Sequence, residues 1–457
     1  MHPTAVINVV GLTPALMGDD TPHLSALARD GSMAPIGAVT PAVTCTAQAT
    51  YLTGTLPREH GIVANGWYFR DLAQVWFWRQ SRHLVGGETV WDTARQRDPA
   101  CTCAQMFWWF NMYSGADWSA TPRPIYPADG RKLPDIYTHP ADLRDRLTAE
   151  IGAFPFFNFW GPTADIRSSR WIAEGSALVD QWHAPTLLLV YLPHLDYDLQ
   201  RFGPRDARIR AQVRAIDEVC GRLIEQCRAR GRRVIVLSEY GIEQVSRPVH
   251  LNRALREAGL LGVRDELGRE ALDAGASEAF AVADHQIAHV YVSRPGRIDS
   301  VRRLLEQVPG VEAVLDRPAQ GALGLDHDRS GELVAIAAPG CWFTYYYWLD
   351  DRRAPDYART VDIHRKPGYD PVELLVDPAM RLAKARIAAT LARKALGFRY
   401  LLEMISLDAS IVGGSHGRPM SDVNAGPVIL SSEKDAFDGP VAATAVRDLI
   451  LEHLFGS

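Results

Sequence analysis

Short apolar runs alternate with amphipathic segments along most of the chain, and this alternation predicts its architecture. The runs at 5–10 (AVINVV), 185–192 (PTLLLVYL), 232–237 (RRVIVL) and 426–431 (GPVILS) have the length and composition of buried strands. Helical periodicity separates them, as in 206–230 and in the last amphipathic segment, AATAVRDLILEHLF. Strands that alternate with helices predict an α/β fold with a large, mostly parallel central sheet flanked by helices.

The pattern changes between about residues 246 and 365. There a strand-like segment, a helix around SVRRLLEQV and two further strands form a compact unit of their own. We interpret this unit as a small inserted α+β cap. The predicted organisation is therefore a first part of the core at 1–245, the cap at 246–365 and a second part of the core at 366–457.

Composition excludes several classes of protein. The chain has 457 residues, 47% of them hydrophobic and 23% charged, so it can bury a sizeable core. A net charge of -5 without a basic block argues against binding to a nucleic-acid polymer. The six cysteines lack paired spacing and predict free thiols. No apolar stretch is long enough to cross a membrane, so we expect a cytoplasmic protein without a membrane partner, which leaves a homo-oligomer open.

Polar side chains follow the predicted strands at the point where each one ends. Asp196 and Gln200 come after the second run, and Glu239 and Tyr240 come after the third. Because the carboxyl ends of parallel strands meet at one edge of a sheet, we expect these side chains to lie together. Carboxylates and histidines at such an edge would hold divalent cations and could activate a hydroxyl.

The hydroxyl is supplied by the segment TCTAQATYLTGTLPREHGIVAN, which begins at Thr44 and ends at Asn65. A hydroxyl at the start of a helix is often a cap, and sometimes a nucleophile. The segment resembles the nucleotide pyrophosphatase/phosphodiesterase branch of the alkaline phosphatase superfamily. This resemblance implies that Thr44 is a nucleophile and that Asn65 binds the phosphoryl oxygen. It also implies a large central sheet with a small inserted cap.

The same resemblance implies two metal sites that share the phosphate, and several of their positions are altered here. Asp196 and His416 match the family. Gln200 stands where the family has a histidine, Glu239 replaces an aspartate, and Tyr240 replaces another histidine.

The aspartate of the first strand is also absent, since Val10 fills its place and Asn8 lies two residues earlier. His364 could supply an imidazole, whereas His285 and His289 are interpreted as a polar strand edge. We expect one or two divalent ions, with manganese or magnesium favoured over zinc by the neutral ligands.

The leading hypothesis is a metal-dependent hydrolase of phosphate esters, phosphodiesters, pyrophosphates or phosphonates that acts on a small phosphorylated molecule through a covalent phosphothreonine. Aromatic clusters at 67–118, including Trp67 and Tyr68, would form a stacking wall, with Arg79 available to an anion. Two alternatives stay open at this point. One is a degenerate member that binds a phosphorylated metabolite, and the other is a phosphoryl transferase in a biosynthetic pathway.

Overall fold

The computed structural model describes residues 1–420 and 422–456. The strands among them are β1 Thr4–Val9, β2 Ser32–Gly37, β3 Gly66–Phe69, β4 Gln74–Phe77, β5 Cys103–Met106, β6 Trp118–Pro122, β7 Ile136–His139, β8 Leu187–Leu192, β9 Arg233–Leu237, β10 Glu243–Gln244, β11 Arg247–Val249, β12 Val263–Glu266, β13 Arg269–Leu272, β14 Ala279–Asp284, β15 Ile287–Val292, β16 Val311–Leu315, β17 Leu333–Ala337, β18 Cys341–Phe343, β19 Gly414–Ser415, β20 Val428–Ser431 and β21 Val441–Ala442. The α-helices are α1 Pro22–Asp30, α2 Thr44–Thr53, α3 Pro57–His60, α4 Val90–Arg97, α5 Leu143–Ile151, α6 Ile166–His183, α7 His194–Phe202, α8 Ile209–Ala229, α9 Leu251–Glu257, α10 Ile298–Glu306, α11 Arg317–Ala322, α12 Ala383–Ala395 and α13 Val446–Phe455.

A nine-stranded sheet forms the centre, in the order β21-β2-β20-β9-β1-β8-β5-β6-β7. The middle strand β1 pairs in parallel with both β8 and β9, and β5 continues the parallel pairing beside β8. Towards the edges the sheet becomes mixed, because β20 and β7 run antiparallel to their neighbours. This architecture confirms the predicted α/β fold, with a sheet that is more mixed than the sequence indicated.

Burial explains why the central strands read as continuous apolar runs. Every residue of β1 and β8 is buried, because helices cover both faces of the sheet. The amphipathic helices α6 and α8 lie against this core along their apolar faces and pack against one another. The segment 206–230, whose apolar periodicity predicts a helix, thus contains the single long helix α8, which covers the sheet.

A separate sheet occupies part of the predicted cap. Its four strands run in the order β14-β15-β17-β16, and all three pairings are antiparallel. A second hydrophobic core lies beside this sheet and includes aromatic residues of the segment that follows β18. The exact domain boundaries at 246 and 365 stay a prediction.

Two expectations about the whole chain can be compared with the structure. All six cysteines are free and buried, as predicted. Among residues 1–420 and 422–456, no helix combines the length and apolar character that crossing a bilayer requires.

Candidate active site

Thr44 opens α2 without acting as its cap. The N-cap position belongs to Val43, and no side chain caps this helix. All ten residues of α2 are buried, so the Thr44 hydroxyl lies inside the protein at the positive end of a helix. Its hydrogen-bond partner is the phenol oxygen of Tyr240, 3.1 Å away. The capping alternative is therefore not what the structure shows.

The topology explains why distant segments meet here. Strands β9, β1 and β8 are neighbours, and residues at or beyond their carboxyl ends share one edge. Glu239 and Tyr240 follow β9, while α7 begins soon after β8 and carries Asp196 and Gln200. The sequence prediction that these side chains converge is borne out by their hydrogen bonds.

Tyr240 links the hydroxyl of Thr44 to a buried carboxyl group. Its phenol donates to Asp196 Oδ1 at 3.1 Å, and Gln200 Nε2 donates to the other oxygen, Oδ2, at 2.6 Å. Tyr369 in turn donates its hydroxyl to Gln200 Oε1 at 3.0 Å. Burial raises the pKa of Asp196 to about 7, although the bonds from Tyr240 and Gln200 lower it.

Glu239 is held by two side-chain amides. Asn8 Nδ2 and Gln48 Nε2 both donate to its Oε1, each at 2.6 Å. Gln48 lies one helical turn beyond Thr44, and its own oxygen accepts from the backbone N–H of Trp109 at 2.7 Å. Burial raises the pKa of Glu239 to about 8, against the lowering effect of these hydrogen bonds.

Asn65 connects α2 to the four-stranded sheet. Its Oδ1 accepts from the backbone N–H of Cys45 at 2.9 Å. Asp284, at the end of β14, accepts from both the backbone N–H and the Nδ2 of Asn65, at 2.7 and 3.1 Å. Burial raises the pKa of Asp284 to about 6. Because an amide nitrogen carries two hydrogens, one on Asn65 stays available to a ligand.

His285 belongs to the site, which corrects its interpretation as a strand edge. Its Nδ1 lies 2.7 Å from Asp284 Oδ1, and its ring stacks on His416 and Tyr369 at centroid distances of 3.7 Å each. His289 instead makes two backbone contacts, to Val63 and Gly331, as expected of a structural residue. The turn between β14 and β15 gives His285 a positive φ of 61° and aims it back at the core.

His416 completes the cluster. Its Nδ1 donates to the Ala42 carbonyl at 2.8 Å, and its ring stacks on Tyr240 at 3.6 Å and 8°. Burial lowers the pKa of both His416 and His285 well below the ordinary value, so both rings are neutral. With Nδ1 engaged, the buried Nε2 of each ring has no hydrogen-bond partner among the described residues and can act as an acceptor.

These residues do not fit the two metal sites that the resemblance implies. Val10 offers no ligand atom, and both oxygens of Asp196 already accept hydrogen bonds from Tyr240 and Gln200. A phenol lies between Thr44 and Asp196, and Oε1 of Glu239 already accepts hydrogen bonds from two side-chain amides. Within residues 1–420 and 422–456, no three His, Cys, Asp or Glu side chains form a group suited to a metal ion.

Four predicted residues contact other partners. His364 is half-buried beside the Phe77 backbone, where desolvation lowers its pKa to about 4. Trp67 stacks on Phe69, Tyr68 packs against Phe280 and Tyr291, and the Arg79 guanidinium lies 3.8 Å from the centre of the Trp76 ring. Their side chains are occupied by packing, so their contacts lend no support to a role at the site.

An aromatic opening adjoins the cluster through Tyr369. Trp78 and Trp160 flank the Tyr369 ring at centroid distances of 6.0 and 5.6 Å. The opening is narrow and is also lined by Lys366 and Glu373. Trp78 comes from the same aromatic-rich segment as Trp67 and Tyr68, and a stacking wall for a ligand stays a prediction.

Four residues of this site were not predicted as site residues. They are Gln48, Asp284, Tyr369 and His285, the last of which was interpreted as a strand edge. Gln48 could have been found from its spacing of four residues after Thr44, which places both on one helix face. Asp284 and His285 could not, because only the packing of the four-stranded sheet against α2 brings them here.

The chain is similar in sequence to one protein family and in fold to several solved structures. The model of the type I phosphodiesterase / nucleotide pyrophosphatase family matches residues 4–370. The structure is similar to murine ectonucleotide pyrophosphatase / phosphodiesterase 5, solved as an inactive variant in complex with AMP, with a TM-score of 0.60 and 16% identity over 99% of this chain and 95% of that one. The human protein of that name gives a TM-score of 0.59 and 15% identity, covering 99% and 94%.

A bacterial enzyme shares the fold as well. Phosphonoacetate hydrolase from Sinorhizobium meliloti 1021, in complex with phosphonoformate, gives a TM-score of 0.62 and 12% identity, over 99% of this chain and 96% of that chain. No curated protein matches the sequence. At such identities the structural likeness shows a shared fold and says nothing of substrate.

Proposed function

Because the chain belongs to the type I phosphodiesterase / nucleotide pyrophosphatase family, we propose that it cleaves a small phosphodiester through a covalent bond between Thr44 and phosphorus. Family membership confirms the predicted class of enzyme, a hydrolase acting on phosphorus-ester bonds. The observation that carries the proposal is the buried Thr44 hydroxyl at the first residue of α2, hydrogen-bonded to the hydroxyl of Tyr240.

The surrounding groups support in-line attack on phosphorus. The Thr44 oxygen forms the bond to phosphorus while the ester oxygen leaves, and the free hydrogen of Asn65 Nδ2 donates to a phosphoryl oxygen. Water then cleaves the phosphothreonine. The partly exposed rings of Trp78 and Trp160 would pack against the organic part of the ester.

Charge favours a diester over a monoester. The hydrogen bonds and ion pairs described for Thr44, Asn65, Asp196, Glu239 and His416 include no lysine or arginine. A buried charge needs a partner, so a dianionic monoester would be bound poorly. The single negative charge of a phosphodiester can be met by hydrogen-bond donors and the positive end of α2.

Family enzymes typically depend on divalent metal ions. Since the donor set here does not fit such ions, no step of this proposal passes through one.

The test is hydrolysis of bis(p-nitrophenyl) phosphate, a dinucleotide pyrophosphate and p-nitrophenyl phosphate by the full chain and two variants. We expect turnover of diesters above the monoester, loss of it in Thr44→Ala, and a phosphorylated Thr44 peptide in quenched wild-type reactions. Thr46→Ala is the matched control, since it removes a buried hydroxyl without a described partner from the same helix. Full activity of Thr44→Ala would refute the mechanism. Tight binding without product would favour the degenerate, ligand-binding alternative.

A further inference from the structure

Tyr240 occupies a position that the two-metal arrangement would give to an imidazole ligand, and its hydroxyl has two partners there. One is the Thr44 hydroxyl and the other is Asp196 Oδ1, each at 3.1 Å. A phenol has a single hydrogen, and an ionised carboxylate can only accept. The hydrogen of Tyr240 therefore points to Asp196, and Thr44 donates to the oxygen of Tyr240.

We propose that this site works without metal ions and that Tyr240 carries the proton of Thr44 to Asp196. The proposal rests on the function proposed above. In this proposal the hydrogen-bonded side chains of Thr44, Tyr240 and Asp196 activate the Thr44 hydroxyl. Metal ions supply this activation elsewhere in the family. Tyr240 is thus a catalytic residue, because it touches the nucleophilic oxygen.

The remaining polar groups keep this chain in place. Gln200 donates to the second oxygen of Asp196 and is itself held by Tyr369. Stacking on His416 fixes the plane of the Tyr240 ring. The amides of Asn8 and Gln48 both donate to a single oxygen of Glu239, Oε1. Gln200, Glu239 and Tyr240, three positions that depart from the family's ligand pattern, thus each have a hydrogen-bonding partner in this cluster.

The bonds and protons balance in both steps. In the first, the Thr44 oxygen bonds to phosphorus, its proton moves to the Tyr240 oxygen, and the Tyr240 proton moves to Asp196. The ester oxygen leaves with the electron pair of its bond and takes a proton from solvent. In the second, water bonds to phosphorus and releases one proton to solvent. The bond from phosphorus to the Thr44 oxygen breaks, and the proton on Asp196 returns through Tyr240.

The experiment combines metal binding with hydrolysis on the full chain. Calorimetric titration with zinc, manganese and magnesium, and elemental mass spectrometry after dialysis, report metal without reference to activity. We expect no stoichiometric metal on the wild type and diester hydrolysis that a chelator leaves unchanged. The double variant Gln200→His with Tyr240→His restores two imidazoles and should gain zinc binding.

The outcomes separate this inference from the proposed function. About two equivalents of metal on the wild type, as a two-ion site would hold, or activity lost to a chelator and restored by zinc, would overturn the inference and leave the function standing. Absence of hydrolysis with and without metal would overturn the function and the proton transfer, and the titration would then decide the metal question alone. A folded double variant that binds no zinc would overturn the placement of Tyr240 at a metal position. If that variant does not fold, the wild-type titration decides.

Discussion

The Tyr240 hydroxyl lies 3.1 Å from the hydroxyl of Thr44 and 3.1 Å from the carboxyl of Asp196. A single side chain therefore connects the proposed nucleophile to the proposed proton acceptor. Tyr240 is separated in sequence from Thr44 by 196 positions and from Asp196 by 44 positions.

Tyr240→Phe removes the connecting oxygen and keeps the ring that stacks on His416. We expect kcat for a phosphodiester to fall by roughly 10²- to 10⁴-fold with little change in KM, because positioned proton transfer contributes about that much. Steady-state kinetics measure this. Tyr346→Phe, which deletes a buried hydroxyl without a described partner in the second core, should leave both constants near the wild-type values. Equal losses in the two variants would argue against the proton route.

Asp284→Asn tests how Asn65 is positioned. Asp284 accepts hydrogen bonds from two nitrogens of Asn65, and an amide in its place would bring a donor against one of them. We expect kcat to fall by roughly 10- to 100-fold, about the loss seen when supporting contacts of a site are mutated. The exposed residue Asp299, changed to Asn, is the control. Unchanged kcat in Asp284→Asn would remove the positioning role.

Trp78→Leu tests the aromatic opening. Its ring stands 6.0 Å from Tyr369, and an aromatic contact of this kind contributes roughly 0.5–1.5 kcal/mol beyond area burial. KM for bis(p-nitrophenyl) phosphate should rise by about 2- to 10-fold relative to KM for methyl p-nitrophenyl phosphate, on that scale. Trp118→Leu, at a stacked pair with His183 on the far part of the sheet, should not alter the ratio of the two KM values.

Stability should fall with rising pH because of Glu239. Its pKa is about 8 in the folded protein against an ordinary 4.5, so between these values the folded state holds a proton that the unfolded chain has lost. Unfolding free energy therefore decreases as pH rises through this window. Urea unfolding from pH 5 to 8 should show a smaller decrease in Glu239→Gln. The exposed Glu225→Gln should retain the wild-type slope, and identical slopes in all three proteins would contradict the assignment.

Lys366→Met should destabilise the protein strongly. The buried Lys366 ammonium lies 2.7 Å from both Asp370 and Glu373. Its removal leaves two carboxyl groups in the interior without their cation, which costs on the order of 3–5 kcal/mol. Chemical unfolding measures the loss. Arg302→Met removes an exposed ion pair with Glu306 and should hardly move the midpoint.

The sequence by itself determined the sheet core, the family and the helix start that carries the proposed nucleophile. Buried parallel strands such as Leu187–Leu192 need an unbroken apolar run, so they can be recognised in the sequence without knowing which strands lie beside them. The segment from Thr44 to Asn65 is local in the same sense, since one helix and the turn after it present both residues. Asp196, Glu239 and Tyr240 could be placed because strand ends share one edge of the sheet.

Only the tertiary structure decided which partners those residues contact. Tyr240, Gln200 and Glu239 read from sequence as altered metal ligands, yet their hydrogen-bond partners are Thr44, Asp196, Asn8 and Gln48. Asp284 and His285 enter from a separate sheet, and no local pattern predicts which face of that sheet packs on α2. The sequence shows the chemistry of each side chain and the succession of strands and helices. The pairing of buried polar groups depends on distances between segments, and these are set only by the tertiary structure.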